Sequence, residues 1–302
     1  MQTILVTGSN GLLGQKLTSL LKDNPEYQLV ATSKGPDRYP GKGGYLYREM
    51  DIRDENQVQE VIATHRPDVI IHTAAMTNVD ACEKDREGCR RLNVDATRYL
   101  VNAAGKQNAF FIHLSTDFIF NGESGPYREE DHPDPLSYYG NTKLESETIV
   151  RESSAEWAIL RTIIVYGVVQ DMSRSNIVLW AKGALEKGQP INVVNDQFRM
   201  PTLAEDLAEA CVLTAKKRAR GIFHVSGEDY MSILELVQRV ARFFNLDESV
   251  ITPIPAATLN QAAKRPPKTG FILDKARREL NYHPHSFEEG LEIVKKQLSS
   301  TP

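Results

Sequence analysis

Short runs of almost wholly apolar residues recur along the first half of the chain, and stretches with helical spacing of apolar residues separate them. The runs predicted as strands are residues 3–7, 27–32, 45–50, 68–72, 109–115 and 158–165. The predicted helices between them are residues 14–21, 54–65, 89–106 and 139–152. Strands that are apolar throughout are typical of parallel sheets, which helices cover on both faces. The alternation therefore predicts an α/β protein with a Rossmann-like, doubly wound parallel sheet.

The alternation weakens after about residue 166. Further elements are predicted as helices at 174–187, 203–218, 231–244 and 286–298, strands at 190–194 and 222–225, and a proline-rich loop at 253–268. We therefore expect a Rossmann domain over residues 1–166 and a smaller C-terminal substrate-binding domain over residues 167–302. Parts of residues 195–226 are expected to return to the first domain. The basic residues that follow the 203–218 helix are typical of a solvated helix end.

Composition narrows the class of protein. The 302 residues include 36 Lys and Arg against 40 Asp and Glu, a net charge of −4, which argues against a nucleic-acid or anionic-membrane binder. The three cysteines, Cys82, Cys89 and Cys211, are too few for a disulfide framework and fit a reducing compartment. The sequence shows neither a signal peptide nor an apolar run of the about 18 residues that a membrane span needs. A cytoplasmic protein is expected.

A glycine-rich loop joins the first strand to the first helix. In Gly8-Ser-Asn-Gly11-Leu-Leu-Gly14, the first glycine permits a tight turn, the second lets the backbone approach a pyrophosphate, and the third allows close helix packing. An ordinary strand–turn–helix corner is the alternative, but the βαβ context favours a dinucleotide site, with phosphates at the helix N-terminus. The expected cofactor contacts are Gly8, Asn10, Gly11, Leu12, Leu13 and Gly14.

The end of the second strand favours NADP(H) over NAD. NAD-binding proteins usually place an acidic residue there, about 20 residues beyond the glycines. This chain instead has Ser33 and Lys34, with Arg38 nearby. A 2′-phosphate is attracted by these cations, although a solvated loop with a chance lysine is the alternative.

Tyr139 and Lys143 lie four residues apart at the start of a predicted helix, and so share one face. An ammonium close to a phenol is expected to lower the tyrosine pKa, and such a tyrosine can protonate a carbonyl oxygen. The strand that ends near Thr116 can bring a hydroxyl to the same edge of the sheet. A surface helix explains a lone pair of this spacing, but the combination with the glycine loop predicts hydride transfer at a carbonyl, with Thr116, Tyr139 and Lys143 as catalytic residues.

With these motifs the chain resembles the extended short-chain dehydrogenase/reductases, and most closely their dTDP-4-dehydrorhamnose reductase branch. The segments that carry the resemblance are Ala74-Ala-Met-Thr-Asn-Val-Asp80, Ser115-Thr-Asp-Phe-Ile-Phe-Asn-Gly122, Arg161-Thr162 to Tyr166-Gly167, and Asn195-Asp-Gln-Phe-Arg-Met-Pro-Thr202. The resemblance covers essentially the whole chain. It implies NADPH-dependent reduction of the C4 keto group of a dTDP-linked 6-deoxy-4-ketohexose.

The resemblance also implies further site residues. The nicotinamide side would be lined by Ala74, Ala75 and Thr77, and the adenine would be bordered by Asp51 and Ile52. Asn93 would steady Lys143 through water. On the substrate side, the sugar would be faced by Thr116 and Asp117, and Arg199 would approach the nucleotide end. A core or turn role is the alternative for Thr77, Asn93 and Arg199. The buried-strand histidines His72 and His113 are expected to have core roles.

Departures from the branch leave other activities open. The branch commonly has a tyrosine where Phe118 stands, and the segment around Arg199 also resembles the non-catalytic regulatory β subunit of methionine adenosyltransferase. Because Phe118 follows Asp117, the second acid of sugar-nucleotide dehydratases is missing. The missing acid after the second strand argues mildly against an NAD-retaining epimerase. Some reductases of the branch use magnesium at a dimer contact, and the resemblance therefore leaves a homodimer open. No set of residues in this sequence indicates a metal site.

Overall fold

The computed structural model describes residues 1–169 and 175–300. We number its strands β1 to β13 and its helices α1 to α10 in chain order. Within the described residues, seven parallel strands form the central sheet, in the order β11-β6-β5-β4-β1-β2-β3. Their bounds are Gln2–Thr7 (β1), Tyr27–Ser33 (β2), Leu46–Glu49 (β3), Val69–His72 (β4), Phe110–Thr116 (β5), Trp157–Thr162 (β6) and Gly221–His224 (β11).

The other strands form three pairs outside the central sheet. They are Val165–Tyr166 (β7) with Thr202–Leu203 (β10), Ile191–Val194 (β8) with Ile251–Ile254 (β13), and Phe198–Arg199 (β9) with Met231–Ser232 (β12). The helices are Leu12–Leu21 (α1), Glu55–His65 (α2), Val79–Lys84 (α3), Arg86–Arg90 (α4), Ala96–Lys106 (α5), Tyr138–Arg151 (α6), Ile177–Glu186 (α7), Ala204–Lys217 (α8), Ile233–Phe243 (α9) and Phe287–Ser300 (α10).

Alternate residues of the central strands enter two different cores, which explains why these strands are apolar throughout. Ile4 and Val6 of β1 pack in one core with α1 and α8, whereas Leu5 between them packs in the other with α2 and α5. All three side chains are fully buried. The predicted Rossmann-like, doubly wound sheet is therefore confirmed.

Two predicted elements are interrupted in the structure. The strand predicted at 158–165 stops at Thr162, because Ile164 adopts a left-handed φ of +26° and turns the chain into β7 of another sheet. The helix predicted at 89–106 is split by a π-helical turn at Arg91–Asp95. In that turn the buried Asn93 side chain bonds the backbone of Met76 instead of facing solvent.

The C-terminal part has its own apolar core between α7, α9, α10 and the β8–β13 pair. Val178, Leu236 and Leu291 are fully buried in it. Part of the predicted 253–268 loop is strand, since β13 runs to Ile254. The chain also returns to the central sheet, where β11 pairs with β6. The division near residue 166 stays a prediction, and Arg174, the first residue of the predicted 174–187 helix, lies outside the described residues.

Candidate active site

A cleft of about 980 Å³ lies at the carboxyl edge of the central sheet. Residues that follow β1, β4 and β5 line one wall, and Val194, Gln197 and Ile233 of the C-terminal part line the other. The predicted site residues that line this cleft are Gly8, Asn10, Gly11, Leu12, Leu13, Gly14, Ser33, Lys34, Asp51, Ile52, Ala74, Ala75, Thr77, Thr116, Asp117, Tyr139, Lys143 and Arg199. The fold therefore brings together residues from almost every predicted motif.

The glycine loop is close-packed where the sequence predicted it. Gly8 has a φ of +71°, in the left-handed region that favours glycine. A Cβ on Gly14 would lie 2.2 Å from the carbonyl oxygen of Gly8, so any side chain there would push α1 away from β1. Gly11 caps α1 without a side-chain hydrogen bond, which leaves first-turn N–H groups of the helix available at the cleft.

The end of the cleft beside β2 carries more positive than negative charge. Asp51 accepts two hydrogen bonds from the Arg53 guanidinium, at 2.9 and 2.6 Å, and Lys34 Nζ lies 3.4 Å from its Oδ2. The bond from Arg53 holds the pKa of Asp51 well below its usual range. The side chain of Arg38 also lines the cleft and donates to the carbonyl oxygen of Asn10. Two cations, Lys34 and Arg53, contact the one carboxylate of Asp51, a setting that suits a further anionic group.

The side chains of Tyr139 and Thr116 both line the cleft, and the Thr116 hydroxyl is near enough to the phenol to act on the pKa of Tyr139. Packing of α6 against the turn that follows β5 brings them together, and Gly140 makes this packing possible. A Cβ on Gly140 would lie 2.2 Å from the carbonyl oxygen of Phe118. Ser137 begins the helix by accepting a hydrogen bond from the Gly140 N–H at 3.2 Å. Both hydroxyls are therefore held on rigid elements.

The pKa of Tyr139 is raised in this geometry, whereas the Tyr-x-x-x-Lys spacing predicts a lowered pKa. Burial raises the pKa of Tyr139, and the neighbouring Thr116 hydroxyl acts in the opposite direction. The Lys143 amine lies instead 3.3 Å from Nε2 of His113. Burial lowers the pKa of Lys143 to about 8. Tyr139 is therefore protonated at neutral pH, which is the state a proton donor requires.

Asp117 links the predicted catalytic threonine to the C-terminal part of the chain. Its Oδ1 accepts from the Thr116 hydroxyl at 3.1 Å, and its Oδ2 accepts from the Thr269 hydroxyl at 2.5 Å. Arg199 Nε lies 3.7 Å from Oδ2. Burial raises the pKa of Asp117, while the charge of Arg199 lowers it. This network positions the hydroxyl of Thr116.

Arg199 makes several contacts with other groups of the protein through its guanidinium. Its side chain is 2% exposed and donates to the carbonyl oxygens of Phe198, Pro266 and Pro267, at 2.7, 2.7 and 3.2 Å. Its predicted contact with the nucleotide stays a prediction. In the structure, Arg199 instead connects Asp117 to the backbone carbonyl oxygens of Pro266 and Pro267. These contacts join distant parts of the chain, so the local sequence does not predict them.

Asn93 lies behind the cleft and not on its wall. Its amide nitrogen donates to the Thr142 hydroxyl at 3.2 Å and to the Met76 carbonyl at 3.1 Å, and its oxygen accepts from the Met76 N–H at 2.8 Å. Asn93 thus ties α6 to the loop after β4. The water-mediated link to Lys143 stays a prediction.

Two arginines on the cleft wall, Arg53 and Arg265, are not among the site residues predicted from the sequence. Arg53 follows Asp51 by two residues, so this ion pair has a local signal in the sequence. Arg265 bonds Asp80 at 2.6 and 3.2 Å and joins the C-terminal segment to α3 across the cleft. That pair lies 185 residues apart in the chain and has no local signal.

In residues 1–169 and 175–300, no group of three or more His, Cys, Asp or Glu side chains is placed to hold a metal ion. No helix in the same residues is long and apolar enough to cross a membrane.

The family described as RmlD substrate binding domain matches residues 1–300 of the chain. The chain belongs to this family. The chain is 34% identical over 256 residues to methionine adenosyltransferase 2 subunit beta of Bos taurus, and the match covers 83% of this chain and 75% of that protein. It is 30% identical over 303 residues to the spore coat polysaccharide biosynthesis protein SpsK of Bacillus subtilis, over 99% of each chain.

A solved structure gives the same assignment. The dTDP-4-dehydrorhamnose reductase of Bacillus anthracis, in complex with NADP, superimposes with a TM-score of 0.85 at 28% identity. The match covers 98% of this chain and 100% of that one. The resemblance to extended reductases is therefore confirmed, and the protein has the fold of NAD(P)-dependent sugar-nucleotide oxidoreductases.

Proposed function

We propose that this RmlD-family protein reduces the C4 keto group of a dTDP-linked 6-deoxy-4-ketohexose, with NADPH as the reductant. The observation that carries the proposal is that the Tyr139 phenol and the Thr116 hydroxyl line the same cleft as the glycine loop. Lys143 lies on the same helix as the tyrosine, and the residue is 3% exposed. The B. anthracis reductase, which has the same fold, is in complex with NADP.

The residues at the β2 end of the cleft fit a cofactor with a 2′-phosphate. In the loop from Gly8 to Gly14 the backbone is packed too closely for a side chain at Gly14. Glycines in such a loop let a pyrophosphate approach the backbone. Lys34 and Arg53 outnumber the carboxylate of Asp51, so an added phosphate meets net positive charge. These residues would hold NADPH in preference to NADH.

The chain's own groups complete the reduction. NADPH, when bound, supplies the hydride that adds to the carbonyl carbon. Tyr139 donates its phenolic proton to the carbonyl oxygen, so hydride and proton together convert the ketone to an alcohol. Thr116 places a hydroxyl beside the same oxygen, and its hydrogen turns from Asp117 Oδ1 to that oxygen as charge develops, a contact worth about 3 kcal/mol in comparable sites. Asp117 and Arg199 keep that hydroxyl in place.

The activity is tested by mixing the protein with NADPH and dTDP-4-keto-6-deoxyhexose and following the loss of reduced nicotinamide absorbance. Steady decay, with one deoxyhexose formed per NADPH, supports the proposal. Tyr139→Phe should remove most turnover and leave NADPH affinity nearly unchanged, because the phenol contributes its proton to the substrate. Wild-type turnover by this variant would show that Tyr139 is not the proton donor.

A second candidate is a non-catalytic, NADP-binding regulatory subunit. It is favoured by the 34% identity to the bovine methionine adenosyltransferase subunit and by Arg199, which is committed to the protein itself. NADPH binding without decay across a panel of nucleotide ketosugars would support it. Another nucleotide-sugar reductase or epimerase would instead show turnover with a different member of the panel. A cytoplasmic location, and a homodimer, remain part of the first proposal.

A further inference from the structure

A buried imidazole lies directly beneath the Lys143 amine. His113 Nε2, on β5, is 3.3 Å from Lys143 Nζ and 2.9 Å from the hydroxyl oxygen of Ser146. The imidazole is fully buried, and its Nδ1 has no hydrogen-bond partner among the described residues. The reaction described above does not use His113, yet its ring contacts a predicted catalytic residue.

The hydrogen bonds around His113 determine which ring nitrogen carries the hydrogen. The Ser146 hydroxyl lies 2.7 Å from the carbonyl oxygen of Lys143, which can only accept, so its single hydrogen is used there. The oxygen of Ser146 can then only accept from His113. The imidazole therefore carries its hydrogen on Nε2, pointing toward Ser146 and the Lys143 nitrogen.

This arrangement suits a neutral amine at Lys143. A neutral amine has a lone pair that can share the hydrogen on Nε2, whereas an ammonium has none. To accept from an ammonium, His113 must move its hydrogen to Nδ1. That N–H would be buried without an acceptor, and the lone pair of Nε2 would face the oxygen of Ser146. Charging the lysine therefore disrupts the contact.

We propose that His113 is a positioning residue for Lys143, which holds the amine at the cleft wall and favours its neutral form. The inference rests on the proposed function only for the role of the lysine in the reaction. Other groups that face the amine are the Glu147 carboxylate on α6 and the Cys89 thiol on α4, which both favour the charged form, and the imidazole of His72 on β4. Glu147 is itself bound by Arg161 in a buried ion pair at 2.8 Å.

The test is a titration of Lys143 in the full chain, without cofactor or ketosugar, by NMR of isotope-labelled lysine. Lys143→Met identifies the resonance by its absence. His113→Gln offers an amide oxygen that accepts from an ammonium without any change of tautomer. We expect the pKa of Lys143 to rise by at least about one pH unit, a tenfold gain in proton affinity. Ser146→Ala should raise it in the same direction, because the lone pair of Nε2 no longer faces an oxygen.

His72→Gln is the matched control. It changes a buried imidazole on the neighbouring strand whose hydrogen-bond partners are Thr7 and Thr97, and burial lowers the pKa of His72 to about 3, so no charge is lost near neutrality. The control should move the titration of Lys143 by less than about half a pH unit.

The inference is overturned if His113→Gln, folded by its thermal melt, titrates Lys143 as the wild type does. It is also overturned if His72→Gln produces an equal shift, since general loosening of the core would then be the cause. If His113→Gln does not fold, Ser146→Ala decides in the same way. Because no turnover is measured, a protein that reduces no ketosugar still gives a result, and the two proposals fail independently.

Discussion

Gly140 offers a direct test of how the active site is assembled. Gly140→Ala adds a methyl group 2.2 Å from the carbonyl oxygen of Phe118 and 2.9 Å from Cβ of Pro135. An ordinary contact begins at 3.4 Å, so α6 must move away from the turn after β5 by about 1.2 Å, which is 3.4 minus 2.2. Tyr139, the preceding residue, moves with the helix and loses its register with Thr116.

The expected loss of activity follows from this displacement. A misplacement of about 1 Å at a reacting group lowers turnover by about 100-fold. Overpacking of this kind lowers the free energy of unfolding by about 1–3 kcal/mol. NADPH affinity should change little, because the glycine loop belongs to α1 and not to α6. The assays are kcat with the ketosugar, NADPH titration and chemical denaturation.

Gly183→Ala is the matched control. Gly183 lies within α7, and a Cβ there meets nothing within 4 Å. The control should retain wild-type turnover and gain up to about 1 kcal/mol of stability from higher helix propensity. The reasoning is refuted if Gly140→Ala is folded and turns over within twofold of the wild type, since the contact with Phe118 would then not position Tyr139.

Three further results are expected. Lys34→Ala should raise the Kd for NADPH about fivefold, the effect of one exposed charge, and leave that for NADH unchanged; equal losses for both cofactors would exclude a 2′-phosphate contact. Thr269→Val should lower the free energy of unfolding by about 1–3 kcal/mol, because the buried Asp117 carboxylate loses a donor, and unchanged denaturation would contradict that role. The hydrogen bond to Asp206 raises the pKa of His285. The contact therefore stabilises the folded protein fully below the ordinary histidine pKa of 6.5, and this stabilisation is lost as the pH rises through the raised pKa. The Tm deficit of His285→Gln should therefore be larger at acidic than at alkaline pH, and a deficit independent of pH would count against it.

Local sequence patterns determined the Rossmann-like sheet and the first half of the site. Each strand buries both faces, so its apolar run is visible without its neighbours, as at Val69–His72. The Gly8–Gly14 loop is equally local, because tight turns and close helix packing demand glycine at short spacing. Tyr139 and Lys143 share a helix face by periodicity alone, and their presence in the cleft follows from the order of strands.

Only the tertiary structure decided what surrounds these residues. His113 lies beneath Lys143 although the two are 30 residues apart, and Thr269 reaches Asp117 over 152 residues. Such contacts depend on which helix covers which strand, and no local spacing encodes that choice. The raised pKa of Tyr139 has the same origin, because burial is a property of the assembled cleft and not of the Tyr-x-x-x-Lys spacing. The sequence thus specifies the candidate reacting groups, while packing sets their protonation and position.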